Sequence, residues 1–252
     1  MNSLPMDDRI RRFFRRIEEK AHDVAQPPVL SVAFGDSVTQ GCMELGRLDP
    51  VGVYHRGVQA RLEEFFPTTT FSTINAGVSG GDVSRALGRL ERDVIRHAPD
   101  LVLVAFGLND SLGGREKLDV FGEGLGRIIA GVRKETEAAV VLLTPPFMAT
   151  RVSPRIHPNH AEVAERIIRA QADGTLADYA EKIREVARAE KVLLADVHAE
   201  WTRLRNSGAD TDGWLSNGLN HPDERGHRLA AAVVFYRLLS AREGGGSPVR
   251  GA

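Results

Sequence analysis

Residues 29–41 read VLSVAFGDSVTQG, and this stretch decides the fold that the sequence predicts. Residues 29–34 are apolar and rich in β-branched types, which is typical of a buried strand. Gly35 then permits a tight turn, and Ser37 follows where the strand ends. Open α/β sheets place their reacting groups at the carboxyl ends of strands, so Ser37 is a candidate nucleophile if a base reaches it. The alternative is an ordinary helix cap after a strand.

The rest of the chain alternates short apolar runs with helical patterns. Four more strands are predicted, over residues 70–75, 101–106, 138–144 and 192–195. One helix is predicted after the second strand, with four apolar residues on one face: Val83, Leu87, Leu90 and Val94. Alternating strands and helices imply right-handed crossovers and a parallel sheet that is covered on both faces.

Both ends of the chain differ from this central pattern. Residues 7–22 have apolar side chains at helical spacing, so residues 1–26 are interpreted as a helical arm on a main domain of residues 27–241. The last helix is predicted over residues 222–239, with Pro222 in its first turn. Residues 242–252 are rich in Gly, Ser and Pro and are predicted to be a disordered tail.

The composition is that of an ordinary globular protein. The 252 residues are 42% hydrophobic and 27% charged, with a formal net charge of −1. This balance gives no electrostatic reason to expect nucleic acid or an anionic membrane as a partner. The sequence shows no signal peptide and no apolar run of about 18 residues, the length of a membrane span. A single cysteine, Cys42, excludes an internal disulfide, and we expect a cytoplasmic protein.

Three predicted strand ends carry short polar turns that meet at one edge of the sheet. Ser37 ends the first strand, the glycine-rich turn of residues 77–81 follows the second, and Asn109 follows the third. Acyl transfer requires a nucleophile, a base and hydrogen-bond donors for the tetrahedral oxyanion. Ser37 would be the nucleophile, and His221 near the C-terminus would be the base. The main-chain N–H groups of Ser37 and Gly80 and the side-chain amide of Asn109 would be the oxyanion donors.

Four blocks of this arrangement resemble the GDSL, or SGNH, hydrolase family. They are Gly35-Asp36-Ser37, Gly80 in the sequence VSG, the sequence GLND at residues 107–110, and His221 before a proline. The resemblance implies a flavodoxin-like three-layer α/β/α sandwich with a five-stranded parallel sheet in the order 2-1-3-4-5. It also implies a serine esterase that hydrolyses small-molecule esters through an acyl-enzyme on Ser37, without a cofactor or a metal. Short-acyl esters, such as acetyl esters of carbohydrates or small metabolites, are the expected substrates.

The group that would orient His221 is left open by the sequence. The family usually has an aspartate three residues before the histidine, but Gly218 stands there. Asn217 is the nearest substitute, since asparagine orients the base in some cysteine hydrolases. A main-chain carbonyl is another candidate, and so are three acids: Asp196, Asp212 and Asp223. Because the aspartate is missing, the alternative function is a weakly active or non-catalytic ligand-binding protein on the same fold.

Other polar residues give weaker indications of function. His157, His160, Asp196 and His198 could suggest a metal-dependent hydrolase, but they lack a recognised zinc spacing, and no metal is expected. Arg151 and Arg155 could hold an anionic substrate, although a solvated loop explains them as well.

Overall fold

A five-stranded parallel sheet forms the centre of the structure, a computed structural model that describes residues 8–243. The strands are β1 (Val29–Gly35), β2 (Phe71–Gly77), β3 (Leu101–Ala105), β4 (Ala139–Leu143) and β5 (Leu193–Ala195). They lie in the order β2-β1-β3-β4-β5, and every neighbouring pair is parallel. The flavodoxin-like sheet order that the resemblance implied is therefore confirmed.

Helices connect the strands and cover both faces of the sheet. They are α1 (Asp8–His22), α2 (Ser37–Gln40), α3 (Tyr54–Phe65), α4 (Val83–Leu87), α5 (Leu90–Asp93), α6 (Leu108–Ser111), α7 (Leu118–Glu135), α8 (Ala161–Ala172), α9 (Thr175–Glu190), α10 (Val197–Asn206) and α11 (Glu224–Glu243). Within residues 8–243, none of the helices combines the length and the apolar character that crossing a membrane requires.

Alternate residues of the central strands enter two separate hydrophobic cores. Leu101 and Leu103 of β3 join the core beneath α1, α3 and α11. Val102 and Val104 point the other way, into the core beneath α4, α7 and α9. A strand that is buried on both faces is apolar along its whole length. For this reason the strands were the elements that the sequence predicted best.

Helix α1 packs into the first of these cores. Its residues Ile10, Phe13, Phe14 and Ile17 are buried there. Their helical spacing is the reason that the helix was predictable. The boundary of the arm at residue 26 stays a prediction. Of the predicted tail, the first two residues extend α11, and residues 244–252 lie outside the described part of the chain.

The helix predicted after the second strand is interrupted in the structure. Two short helices, α4 and α5, replace it, and the chain turns between them at Gly88 and Arg89. The Gly88 N–H donates to the Arg85 carbonyl and the Arg89 N–H to the Ala86 carbonyl, so the α-helical bond pattern stops here. The four apolar residues are still directed towards the second core. Apolar spacing alone did not reveal the break, because it persists across the turn.

The last helix begins two residues later than predicted. Pro222 is not in its first turn but pairs with Leu215 in an isolated antiparallel bridge. Asp223 follows, and its Oδ1 accepts a hydrogen bond from the N–H of Arg225 at 2.9 Å, at the start of α11. The bridge helps to fix the preceding residue, His221, near the carboxyl end of β1.

Candidate active site

Ser37 is held at the end of β1 as the first residue of α2. The Asp36 carboxylate precedes it and accepts from the N–H of Val38, with Oδ1 and N 2.9 Å apart. Gly35 is required because a Cβ at this position would lie 2.7 Å from the carbonyl oxygen of Ala105. The Ser37 residue is only 4% exposed, so it lies at the bottom of the site.

His221 contacts Ser37 through its Nε2 atom. The distance from Nε2 to the Ser37 Oγ is 3.1 Å. On the other side of the ring, Nδ1 lies 2.6 Å from the carbonyl oxygen of Met43. A carbonyl oxygen only accepts hydrogen bonds, so Nδ1 carries the proton and Nε2 presents its lone pair to the serine hydroxyl. This is the tautomer that a general base for Ser37 needs.

A closed loop holds the Met43 carbonyl in place. The Met43 N–H donates to the carbonyl of Arg47 at 3.0 Å, and the Asp49 N–H donates to the carbonyl of Gly41 at 2.8 Å. The Met43 side chain is buried as well. The group on Nδ1 is therefore a fixed main-chain dipole, one of the alternatives that the sequence left open.

Asn217, one of the candidates for orienting the base, forms its hydrogen bonds with the main chain and with Asn220 rather than with the imidazole ring. Its Oδ1 instead accepts from the N–H groups of Leu219, Asn220 and His221 at 2.9, 3.0 and 3.0 Å. Its Nδ2 donates to the side chain of Asn220 at 3.1 Å. Short amide side chains commonly bond the main chain that follows them. Asn217 thus shapes the turn and holds the backbone of His221.

The three alternative acids also bind other groups. Asp196 pairs with Arg184, Asp212 accepts from the main chain and side chain of Thr150, and Asp223 pairs with Arg225. Within the described range, none of these carboxylates forms a hydrogen bond with His221. The Met43 carbonyl is the ring partner that the geometry supports.

The loop that follows β4 occupies the space beside Gly218. Gly218 has φ +69°, and a Cβ there would lie 3.1 Å from the Cβ atoms of Ser153 and Arg155. The Arg155 guanidinium is anchored by donating to the carbonyls of Gly213 and Leu215 at 3.2 and 3.3 Å. An aspartate at position 218 would meet both an unfavourable backbone conformation and this loop.

The remaining polar candidates are separated or already paired. Arg151 pairs with Asp210, with Nη2 and Oδ1 2.8 Å apart. The rings of His157 and His160 lie 6.3 Å apart, and His198 packs against the ring of Phe147. Among residues 8–243, no three His, Cys, Asp or Glu side chains converge in a group that could hold a metal ion.

Gly218→Asp is expected to lower activity rather than to create a carboxylate triad. The new side chain would push against the loop after β4 and move His221, so we expect kcat to fall roughly tenfold. The free energy of unfolding should fall by about 1–3 kcal/mol, the usual cost of a strained backbone position. Steady-state kinetics and urea unfolding measure both, with Gly218→Ala as the control that adds a Cβ without a charge. A kcat above that of the unmodified protein would contradict the assignment of the Met43 carbonyl.

The predicted oxyanion donors lie at neighbouring strand ends. Gly80, in the turn after β2, has φ +70°, and its Cα faces open space. The Asn109 Nδ2 donates one hydrogen to the Gly81 carbonyl at 2.9 Å, which leaves its second hydrogen available. Within residues 8–243, the main-chain N–H groups of Ser37 and Gly80 donate to no protein acceptor. Unpaired N–H groups beside a nucleophile are the elements of an oxyanion site.

Two carboxyl groups adjoin Ser37 and Asn109 in the sequence, the buried Asp36 and the half-buried Asp110. Burial raises the pKa of Asp36 to about 7, and the nearby Asp110 acts in the same direction. Burial also raises the pKa of Asp110 to about 6, although it accepts from the N–H groups of Val83 and Gly107 at 2.9 and 3.0 Å. These two bonds tie the end of β3 to the start of α4. Asp110 thereby fixes the segment that carries Asn109.

Burial also lowers the pKa of the His221 imidazole. The Met43 carbonyl opposes this shift, and the charge of His160 adds to it, so the pKa lies below its ordinary value of about 6.5. A neutral carbonyl stabilises the imidazolium less than a carboxylate would. The His221 imidazole therefore stays unprotonated at a lower pH than the imidazole of an exposed histidine does.

We expect the acid limb of the kcat/KM profile to have its midpoint below pH 6.5. Below the pKa of His221 its Nε2 carries a proton and cannot accept one from Ser37, so the rate falls as the pH drops through that pKa. The measurement is kcat/KM against pH for a neutral ester. Asp36→Asn is the control, because it removes the carboxyl group that directly precedes Ser37 and whose pKa is about 7. A midpoint above pH 7 that persists in Asp36→Asn would contradict this expectation.

Comparison with known proteins identifies the family of this chain. The model of the GDSL-like Lipase/Acylhydrolase family matches residues 33–229. An acetylxylan esterase from Geobacillus stearothermophilus is 24% identical over 220 residues, which are 81% of this chain and 91% of that protein. An arylesterase from Vibrio mimicus is 32% identical over 97 residues, which are 37% of this chain and 48% of that protein.

Solved structures show the same fold. The acetylxylan esterase superposes with a TM-score of 0.64 at 20% identity, over 83% of this chain and 93% of that chain. A lipase/acylhydrolase from Enterococcus faecalis superposes with a TM-score of 0.63 at 22% identity, over 84% and 95% of the two chains. Structures also exist for catalytic mutants of the acetylxylan esterase in which a serine, a histidine or an aspartate is replaced by alanine. Because the family model spans most of the sequence, this chain is a carboxylic ester hydrolase and belongs to the GDSL-like lipase/acylhydrolase family.

Proposed function

We propose that the protein hydrolyses short-acyl esters, in particular acetyl esters of carbohydrates or small metabolites, through an acyl-enzyme on Ser37. The observation that carries this proposal is the aligned pair of Ser37 and His221. Its Oγ–Nε2 distance of 3.1 Å lies within hydrogen-bond range, and the Met43 carbonyl fixes the tautomer of the ring.

Acylation begins when the Ser37 Oγ attacks the ester carbonyl carbon. The hydroxyl proton passes to Nε2 of His221, and the carbonyl oxygen becomes the oxyanion of a tetrahedral intermediate. The N–H groups of Ser37 and Gly80 and the Nδ2 of Asn109 donate to this oxygen. When the intermediate collapses, the C–O bond to the alcohol breaks, and His221 returns its proton to the departing oxygen.

Deacylation repeats these steps with water as the nucleophile. His221 takes a proton from the water, which attacks the acyl carbon, and the proton then returns to Ser37 Oγ as the acid leaves. Each half-reaction passes through an imidazolium. Here the charge of that imidazolium faces a carbonyl dipole rather than a carboxylate, so the mechanism is that of a dyad with a main-chain partner.

Two observations support a small acyl group and a hydroxylated alcohol. The nucleophile is nearly buried, at 4% exposure, which limits the space around the acyl carbon. The acetylxylan esterase relative aligns over 91% of its own length, and its name describes an acetyl ester of a polysaccharide. Both favour acetylated carbohydrates as the first substrates to test.

A serine-directed fluorophosphonate and a panel of esters test the proposal. We expect covalent labelling of Ser37, located by mass spectrometry, and hydrolysis of acetylated sugars together with p-nitrophenyl acetate. The rate should fall as the p-nitrophenyl acyl chain is lengthened from acetyl to octanoyl. A lack of labelling would favour a ligand-binding protein on this fold, and a preference for octanoyl esters would reject the short-acyl assignment.

A further inference from the structure

Arg89 is a nearly buried cation that contacts the ends of two strands. It lies at the interruption between α4 and α5, and its side chain is 12% exposed. Its Nη1 donates to the carbonyl oxygen of Ala76 at 2.7 Å, and its Nη2 donates to the carbonyl oxygen of Gly35 at 2.8 Å. Ala76 lies near the end of β2, and Gly35 ends β1. One planar group thus bridges the two strand ends that lead into the site.

Further contacts hold the guanidinium in this position. Its Nη1 also donates to the Oδ2 of Asp93 at 2.9 Å, and its Cζ lies 4.4 Å from the centroid of the Phe34 ring. Asp93 is held in turn by Arg92, whose Nε and Nη2 donate to the two carboxylate oxygens. An arginine that is stacked and bonded at both terminal nitrogens has a fixed geometry that lysine cannot reproduce.

The two bridged carbonyls stand just before the two main-chain oxyanion donors. Gly35 precedes Ser37 by two residues, and Ala76 precedes Gly80 by four. Beyond the last paired residues of β1 and β2, the Val78 N–H still donates to the Gly35 carbonyl at 3.1 Å. Beyond that bond, within residues 8–243, the two turns are joined by the Ser79 N–H, which donates to the Oε1 of Gln40 at 2.7 Å, and not by a strand ladder. Arg89 adds a second constraint, because it bonds the carbonyls of Gly35 and Ala76, from which the two turns begin.

We propose that Arg89 is a positioning residue that sets the spacing between the N–H groups of Ser37 and Gly80. This inference rests on the proposed acyl-enzyme mechanism. Arg89 acts through the main chain and does not contact the ester. Arg89 should therefore increase the stabilisation of the transition state, in which charge develops on the oxyanion. It should not affect the binding of the uncharged ester.

The test compares Arg89→Lys and Arg89→Gln with Arg96→Gln. Lysine keeps the charge but cannot bond both carbonyls with a planar fork, so kcat should fall roughly tenfold, and glutamine should lower it roughly 100-fold. KM should stay within about twofold in both variants, since ground-state binding is not affected. Affinity for phenylboronic acid, which forms an anionic tetrahedral adduct with a serine, should fall by the same factor as kcat. Arg96→Gln removes a charge from an exposed side chain just after α5, outside the network that holds Arg89, and it should change none of these quantities.

Circular dichroism and the stoichiometry of fluorophosphonate labelling establish that each variant is folded. If the glutamine variant fails to fold, the lysine variant decides the question. A kcat within twofold of the unmodified protein in Arg89→Lys would overturn the proposal. A fall in kcat without loss of boronate affinity, or a change in KM alone, would overturn it too. Ser37→Ala distinguishes a failure of this inference from a failure of the proposed function. If Ser37→Ala stays active, the acyl-enzyme mechanism is wrong. If Ser37→Ala is inactive while Arg89→Lys has a normal kcat, only the inference about Arg89 is wrong.

Discussion

Ser37→Ala is expected to reduce kcat for ester hydrolysis by roughly 10⁵–10⁶-fold, the loss that removal of a serine nucleophile usually causes. The hydroxyl is the only group placed within hydrogen-bond distance of the His221 Nε2, at 3.1 Å, among the described residues. Without it His221 can act only on water, and no acyl-enzyme forms. The measurement is kcat with p-nitrophenyl acetate, together with fluorophosphonate labelling.

The fold should survive the same substitution. Ser37 contributes one hydroxyl and little apolar surface, so the free energy of unfolding should change by only about 1 kcal/mol. Ser79→Ala is a matched control, because Ser79 is an exposed serine next to Gly80 and forms no hydrogen bond with His221 in the described part of the chain. We expect near-normal kcat in Ser79→Ala. Turnover in Ser37→Ala close to that of the unmodified protein would show that another nucleophile does the chemistry.

Asn109→Ala is expected to lower kcat by roughly 10²–10³-fold, the cost of one lost oxyanion donor. KM should change much less, because the donor acts mainly on the charged intermediate. Asn109 also bonds the Gly81 carbonyl at 2.9 Å, so the substitution removes a structural contact as well. Boronate affinity separates the two roles, since it reports on the oxyanion site directly.

Two further variants sharpen this second test. Asn109→Asp keeps the size of the side chain but replaces the donor with an acceptor, so it should be no more active than Asn109→Ala. Asn206→Ala removes an exposed amide at the end of α10 and should leave kcat and boronate affinity unchanged. An effect of Asn109→Ala confined to KM would make Asn109 a residue that binds the ground state of the ester.

The parts that the sequence predicted well are those in which side-chain type determines the structure. Strands buried on both faces need uninterrupted apolar residues, so β1, β3 and β4 were evident from composition alone. The sheet order followed from four short polar blocks that resemble a family. The helix break at Gly88 and Arg89 was not predicted, because the apolar period continues across it and the bonds that end the helix are main-chain bonds.

The same distinction explains what was missed in the site. The pairing of Ser37 with His221 could be predicted, because only certain side chains can be a nucleophile and a base. The group that binds Nδ1 of His221 could not be predicted, because every residue has a main-chain carbonyl. Only the folded loop determines which carbonyl lies beside the ring. Asn217 was the natural candidate from its position in the sequence, yet its amide is used up by three N–H groups of its own turn.

In the proposed mechanism the group that orients His221 is a main-chain oxygen, that of Met43, which cannot be removed by changing a side chain. No substitution at position 43 deletes a peptide oxygen, so an alanine scan would report Met43 only through the loss of its packing. The contribution of this oxygen becomes measurable only when the backbone itself is altered. Replacing the amide between Met43 and Glu44 with an ester would leave every side chain in place and weaken the acceptor that faces Nδ1.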